Sequence, residues 1–168
     1  MVGEYETDIF ITTKLDGHNL NVPYTFFFDG SKVFIYQYAL LKHTIEKKVD
    51  VKFDKFVIRI LIGNEIGIIE NYLRSSANLI ICFEKTNYPS KFYYRKAQMW
   101  IGAHLSKVKV LGHIIYNNIV NRIFFSAFAD NNEGVVFEGT SAFVLDENML
   151  YSTSKVNDDI NGGNQKNV

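Results

Sequence analysis

The apolar and polar positions of this chain are most regular between Lys107 and Leu145. Ile123, Phe125, Ala127 and Ala129 fall on one side of a two-residue period, with Phe124, Ser126 and Phe128 on the other. Both faces are largely apolar, which predicts a strand covered on both sides. Asp130 to Gly134 supplies residues that tolerate positive φ, and Val135 opens a second alternating run in which Val135, Phe137, Phe143 and Leu145 share a face. The two runs read as one long hairpin, preceded by a strand over 107–115.

The first third reads as an antiparallel meander. Thr7 to Lys14 alternates as a strand, Asp16-Gly17 is a strong hairpin signal, and Tyr24 to Phe28 forms a second apolar run. Asp29-Gly30-Ser31-Lys32 repeats the turn chemistry before Val33 to Leu41 resumes alternation. Ile35, Tyr38, Leu41 and Ile45 also recur at helical spacing, so strand and helix both stand for the later part of 34–48. Val49 to Phe53 and Phe56 to Ile62 are further strands.

A helix is predicted over about 64–78. Asn64 offers a cap, Glu65 suits the first turn, and Ile66, Ile69, Leu73 and Ala77 follow at three- and four-residue spacing. Gly67 costs this helix about 1 kcal/mol relative to alanine, which a packed face outweighs. Leu79 to Phe83 reads as a short strand, Glu84 to Ser90 as a loop, and Phe92 to His104 as a strand, with Tyr93, Arg95, Ala97, Met99 and Ile101 alternating against Phe92, Tyr94, Lys96, Gln98 and Trp100. The pattern as a whole predicts an α+β chain, mainly antiparallel β: a two-sheet barrel or sandwich with one flanking helix. Residues 1–150 form a single β-rich domain, and 151–168, where aromatic content falls away, form a flexible tail.

Length and composition fit one globular domain of 168 residues, 47% hydrophobic and 15% aromatic. Eighteen basic residues balance eighteen acidic ones, so no overall field draws the chain to nucleic acid or an anionic membrane. Cys82 is the single cysteine, which rules out an intramolecular disulfide, and a buried thiol is its expected state. The acidic start MVGEYETDIF is unlike a secretory signal and no apolar run reaches membrane-spanning length, so secretion by a signal peptide is not expected.

Motifs that carry chemistry are scarce. His18, His43, His104 and His113 lack zinc-site spacing, and one cysteine cannot complete a thiolate set, so neither metal nor cofactor is expected. No nucleophile elbow and no glycine-rich phosphate loop occur; Gly139-Thr140-Ser141 lies in a strand pattern. The aromatic run Tyr24, Phe26, Phe28, Phe34, Tyr36 and Tyr38 has only Lys32 among it, which suits core packing or a contact surface better than a base-stacking platform.

In element order the chain resembles the tube proteins of phage tails and contractile injection machines. The likeness rests on an opening Ile9-Phe10-Ile11 strand with a turn at Gly17, on Phe56 to Ile62 running into the helix Asn64 to Ala77, on a strand ending Val110-Leu111-Gly112, and on a last hairpin across Asp130-Asn131-Asn132. Ile114 and Ile115 stand where that family often has a proline. The resemblance implies a structural subunit of stacked hexameric rings, partnered by copies of itself and other structural subunits through edge strands, with no catalytic residue and the aromatic run as contact surface. Arg122 to Leu145 is also similar to the closing strands of hot-dog thioesterases and dehydratases, which would make Glu70 with His104 or His113 the acid–base candidates. A monomeric β-barrel binding module is a further alternative. The balance favours a self-assembling structural role over an enzyme.

Overall fold

The computed structural model describes residues 5–54, 56–127, 135–137, 142–145 and 150–152. Twelve strands are described: β1 (Glu6–Leu15), β2 (His18–Phe28), β3 (Val33–Gln37), β4 (Leu40–Ile45), β5 (Val49–Phe53), β6 (Phe56–Ile62), β7 (Leu79–Thr86), β8 (Lys109–Tyr116), β9 (Ile119–Phe125), β10 (Val135–Phe137), β11 (Ala142–Leu145) and β12 (Leu150–Ser152). One α-helix, α1 (Pro89–Ser106), joins β7 to β8. The strands form two six-stranded sheets, ordered β12-β11-β1-β2-β3-β4 and β10-β9-β8-β7-β6-β5.

The meander of the first third is present. Asp16 and Gly17, both at positive φ, turn β1 back on β2. The Asp29 carboxylate accepts hydrogen bonds from the Ser31 and Lys32 amides and fixes the turn into β3. Tyr38 and Ala39, at φ 51° and 65°, close β3 on β4, so 34–48 is extended and not helical. After β5 the chain has entered the second sheet, where β6, β7 and β8 run parallel to one another; β5, β9 and β10 are antiparallel to their neighbours. The layout is a mostly antiparallel two-sheet sandwich with a single α-helix among the described residues, and the described strands do not close into a barrel.

Alternation along β7 shows how the layers are held. Leu79, Ile81 and Phe83 point between the sheets, where they meet Ile9, Phe26, Phe28 and Ile35 of the first sheet. Ile80 and Cys82 point the other way, under α1, with Phe92, Met99 and Ala103. Each large side chain buried in these two layers contributes about 1.5–3 kcal/mol. β9 is covered likewise: Ile123 and Phe125 lie under α1 and Phe124 packs toward the sandwich interior, as the pattern over 123–129 requires.

The helix is not where the spacing placed it. Gly63–Gly67 and Ile69–Asn71 are two short 3-10 turns separated by an extended Ile68, and Arg74 has a φ of 54°. Ile66 is buried but Ile69 and Leu73 are exposed, so no single apolar stripe holds a helix here. The α-helix occupies 89–106, where the alternation predicted a strand. Proline stands at its start, and its buried stripe is Phe92, Arg95, Met99, Gly102 and Ala103. The hairpin over 123–145 also needs correction: β10 pairs with β9, but β11 crosses to the first sheet and runs parallel to β1. Of the tail expected over 151–168, residues 151 and 152 pair within β12, while 153–168 and the turn at 130–134 lie outside the described residues.

Candidate active site

Glu84 is the single buried carboxylate among the described residues, and it sits near the carboxyl end of β7 on the face toward α1. Its Oε1 accepts a hydrogen bond from Arg95 Nε at 2.7 Å, and its Oε2 accepts one from the Lys85 amide at 3.0 Å. Arg95, one of the buried positions of α1, spreads its other two nitrogens: Nη1 donates to Gln98 Oε1 at 2.9 Å and Nη2 to Asn64 Oδ1 at 3.0 Å. Asn64 follows β6, so the carboxyl ends of two neighbouring parallel strands are bridged by a guanidinium from the crossover helix. Because both amide oxygens face Arg95, the NH2 groups of Asn64 and Gln98 are turned away from it.

Packing around the cluster is tight. A Cβ on Gly67 would sit 2.8 Å from Gln98 Nε2, and one on Gly102 would sit 2.4 Å from the Tyr72 ring. Tyr72 donates its hydroxyl to the Ile66 carbonyl at 2.6 Å and lies 3.7 Å from Cys82 Sγ. Burial pushes the Cys82 thiol up to about 12, so at neutral pH it is a protonated, enclosed thiol and not a nucleophile. Thr86 Oγ1 accepts from the Tyr88 amide at 3.0 Å ahead of α1, and an open hollow of about 280 Å³ lined by Lys85, Asn87, Tyr88 and Lys91 lies beside it.

A second polar group crosses the interior of the sandwich. Arg122 Nε of β9 donates to Thr7 Oγ1 of β1 at 2.8 Å, and Thr7 Oγ1 lies 2.9 Å from His113 Nδ1 of β8. Burial drives His113 down to about 3, the nearby Arg122 charge adds to this, and the Tyr5 carbonyl pulls the other way. Burial also lowers Arg122, to about 10.

The residues singled out from the sequence are scattered. Glu70 is exposed on the second 3-10 turn, His104 is in the last turn of α1, and His113 is inside the sandwich, so they do not form one site. Of the aromatic run, Phe26 and Phe28 are core, Tyr24 packs edge-on against Phe53, Phe34 and Tyr36 are half-buried, and Tyr38 is exposed at the β3–β4 turn. No group of three or more His, Cys, Asp or Glu able to hold a metal ion occurs among the described residues. An open hollow of about 680 Å³ where β4 leads into β5 is lined by one contiguous segment of mixed charge, His43 to Val49 with Val51. Glu84 itself fell in a predicted loop. The signal that marks it is the apolar run Leu79 to Phe83 ending on a carboxylate just before Pro89 starts a helix.

No family model and no curated protein matches this chain. Among solved structures it is similar to a cysteine-to-alanine mutant of the Nesterenkonia AN1 amidase from the nitrilase superfamily, with 7% identity and a TM-score of 0.48 over 63% of this chain and 50% of that one. It is similar too to an amidase from Nesterenkonia sp., with 4% identity and a TM-score of 0.48 over 77% and 55%. The chain thus spans about half the length of the structures it matches, and a likeness of this size carries no activity over to it.

The topology overturns the phage-tube expectation, because the element order that carried the resemblance is not realised: short 3-10 turns and not an α-helix follow β6, α1 lies between parallel β7 and β8, and the described strands close no barrel. The hot-dog alternative fails on the same topology. Arg122 to Leu145 divides between two sheets, and α1 lies outside the sandwich, not at the centre of a wrapped sheet. With no closed barrel among the described strands, the β-barrel binding module is set aside as well. No helix among the described residues is long and apolar enough to cross a membrane.

Proposed function

We propose that the chain carries an enzymatic site at the carboxyl ends of β6 and β7, with Glu84 as its acid–base group. The observation that supports this is the buried Glu84 carboxylate held by Arg95. Strand ends of this kind are where parallel sheets present ligands. In this reading the ionised carboxylate draws a proton from a water molecule as it attacks a carbonyl carbon. The NH2 group of Asn64, turned away from Arg95, donates to the carbonyl oxygen as charge develops on it. Hydrolysis of an amide or ester follows, with the proton returned to the leaving group. Cys82 takes no part. Self-association belongs to the same reading: the chain works as a homo-oligomer, supported by the apolar surface it leaves exposed.

The Glu84–Arg95 pair also seats α1 on the second sheet, and experiment separates the two roles. Purified protein is assayed against short aliphatic amides and p-nitrophenyl esters. Glu84→Gln is expected to lower kcat/KM about 100-fold or more while circular dichroism still shows a folded chain, and Cys82→Ala leaves the rate unchanged. If Glu84→Gln does not fold, Glu84→Asp serves instead, since it keeps the charge and shortens the reach. No turnover above the uncatalysed rate, or a rate untouched in a folded Glu84 variant, would overturn the reading.

A further inference from the structure

The two elements that carry the Glu84–Arg95 pair also build the open hollow beside Thr86. Thr86 stands two residues past Glu84 on β7 and on the same face, about 7 Å along the strand. Lys91 precedes Arg95 by one helical turn on the same side of α1, and helical side chains lean toward the helix start, away from Arg95. Lys85, Asn87 and Tyr88 complete the lining of about 280 Å³. Every side chain in it carries a hydrogen-bond donor, and among the described residues no carboxylate lines it. Thr86 is only 7% exposed, and its Oγ1 accepts from the Tyr88 amide at 3.0 Å, a bond that does not use the hydroxyl proton. Lys85 and Lys91 are exposed, and Lys85 holds its ammonium 5.4 Å from the centre of the Tyr5 ring, on the side of the first sheet. Glu84 and Arg95 offset one another at 2.7 Å, so the two lysines supply the net charge of the pair and the hollow taken together.

We propose that this hollow receives a carboxylate of the substrate, so that the Glu84 site acts on the monoamides and monoesters of short dicarboxylic acids. The inference rests on the reading of Glu84 given above and names its substrate class. Lys85 and Lys91 neutralise the far carboxylate, and the Asn87 amide and the Tyr88 hydroxyl are further donors to its oxygens. The step of about 7 Å from Glu84 to Thr86 is the reach of a short aliphatic chain, with the reacting carbonyl at one end and the carboxylate at the other. A substrate with an apolar tail would instead press that tail on two ammonium groups and strip their water. The hydrolysis itself is unchanged: water adds to the acyl carbon, the carbon–nitrogen bond breaks, and glutaramate yields glutarate and ammonium.

The test compares two substrates that differ by one charge, glutaramate and glutaramide, at low ionic strength. Wild type is expected to hydrolyse glutaramate with a kcat/KM about tenfold or more above that for glutaramide, the difference lying in KM, and the preference to shrink as salt is added. Lys85→Met and Lys91→Met keep an unbranched stem and drop the charge; each is expected to cut the preference, and Lys91→Arg to keep it, with circular dichroism unchanged. If Lys85→Met does not fold, because that stem packs against Gly30, Lys91→Met decides alone. Equal turnover of the two amides by wild type, or a preference that survives Lys91→Met, would overturn the carboxylate subsite and leave the Glu84 site standing. Glutarate binding by calorimetry separates the two the other way. No turnover of either amide, with glutarate bound by wild type and not by Lys91→Met, would overturn the Glu84 reading and its substrate class and leave the hollow as a carboxylate site. Neither turnover nor binding would overturn both.

Discussion

His113 shows how a single side chain ties the stability of this sandwich to pH. Folded, burial holds it near 3 and neutral; unfolded, an imidazole titrates near 6.5. Between those values the unfolded chain binds a proton that the folded chain refuses, so stability falls as pH drops through about 6.5 and goes on falling toward 3. The loss is up to about 1.4 kcal/mol for each pH unit. The Asp50 carboxyl, held low by its hydrogen bonds from Arg59, gives up its contribution only below its ordinary value near 3.8, which leaves the window from 6.5 to 4.5 to histidine. Urea titrations of wild type across that window are expected to show this slope, and His113→Asn to flatten it; equal slopes in the two proteins would contradict the assignment. Glu84 and Arg95 make a second residue-scale case. Arg95→Leu leaves the carboxylate buried without its counter-charge and is expected to cost about 3–5 kcal/mol, whereas Glu84→Leu with Arg95→Leu removes both charges and costs less than Arg95→Leu alone. Denaturation midpoints of the two variants decide it.

At the scale of elements, α1 is held by close approaches that glycine permits. A Cβ at position 102 would meet ring carbons of Tyr72, a rigid side chain enclosed on all sides, while a Cβ at position 112 of β8 would meet the Sδ and Cε of Met99, the free end of a flexible one. Gly102→Ala is therefore expected to cost about 1–3 kcal/mol and Gly112→Ala distinctly less, read from chemical denaturation; the reverse order would mean that α1 is seated differently. The same contacts explain why this helix was hard to read in the sequence. Its inward stripe contains an arginine, a glycine and an alanine, and its outward face is aromatic, so the contrast that marks an amphipathic helix is nearly absent. Only Pro89 signalled its start. At 64–77 the opposite happened: Ile66, Ile69, Leu73 and Ala77 have helical spacing, but the segment is pinned by point contacts. Glu65 accepts from the Ile62 and Lys48 amides, Asn71 donates to the Glu65 carbonyl, and an extended Ile68 interrupts the turns. The meander was legible because its turns lie in Asp16-Gly17 and Asp29-Gly30, residues whose backbone preferences act locally. The parallel order of β6, β7 and β8 was not, since it depends on where α1 sits. For that reason the site at Glu84 was also missed: a carboxylate ending an apolar run acquires its partner only when α1 folds back over the sheet.

For the whole molecule, the second sheet is shared by two apolar layers, one against the first sheet and one beneath α1, and the question is whether these open together. Cys82 gives direct access to it. The thiol is fully enclosed between β7 and α1, beside the Tyr72 hydroxyl, so a reagent reaches it only when α1 lifts or the entire sandwich unfolds. Lifting α1 alone would separate Glu84 from Arg95, unstack Phe92 from Tyr116 at 4.6 Å, and expose Met99 and Ala103 while the sandwich stayed closed. The loss of that ion pair together with the wetting of the whole apolar layer beneath α1 makes partial opening about as costly as losing the fold, whose whole stability in a domain of this size is on the order of 5–15 kcal/mol. The free energy for labelling Cys82 with a disulfide reagent is therefore expected to equal that of global unfolding by far-UV circular dichroism, and to fall with urea along the same slope. A labelling free energy more than about 1 kcal/mol below the global value, with a shallow urea dependence, would show instead that α1 detaches as a unit of its own.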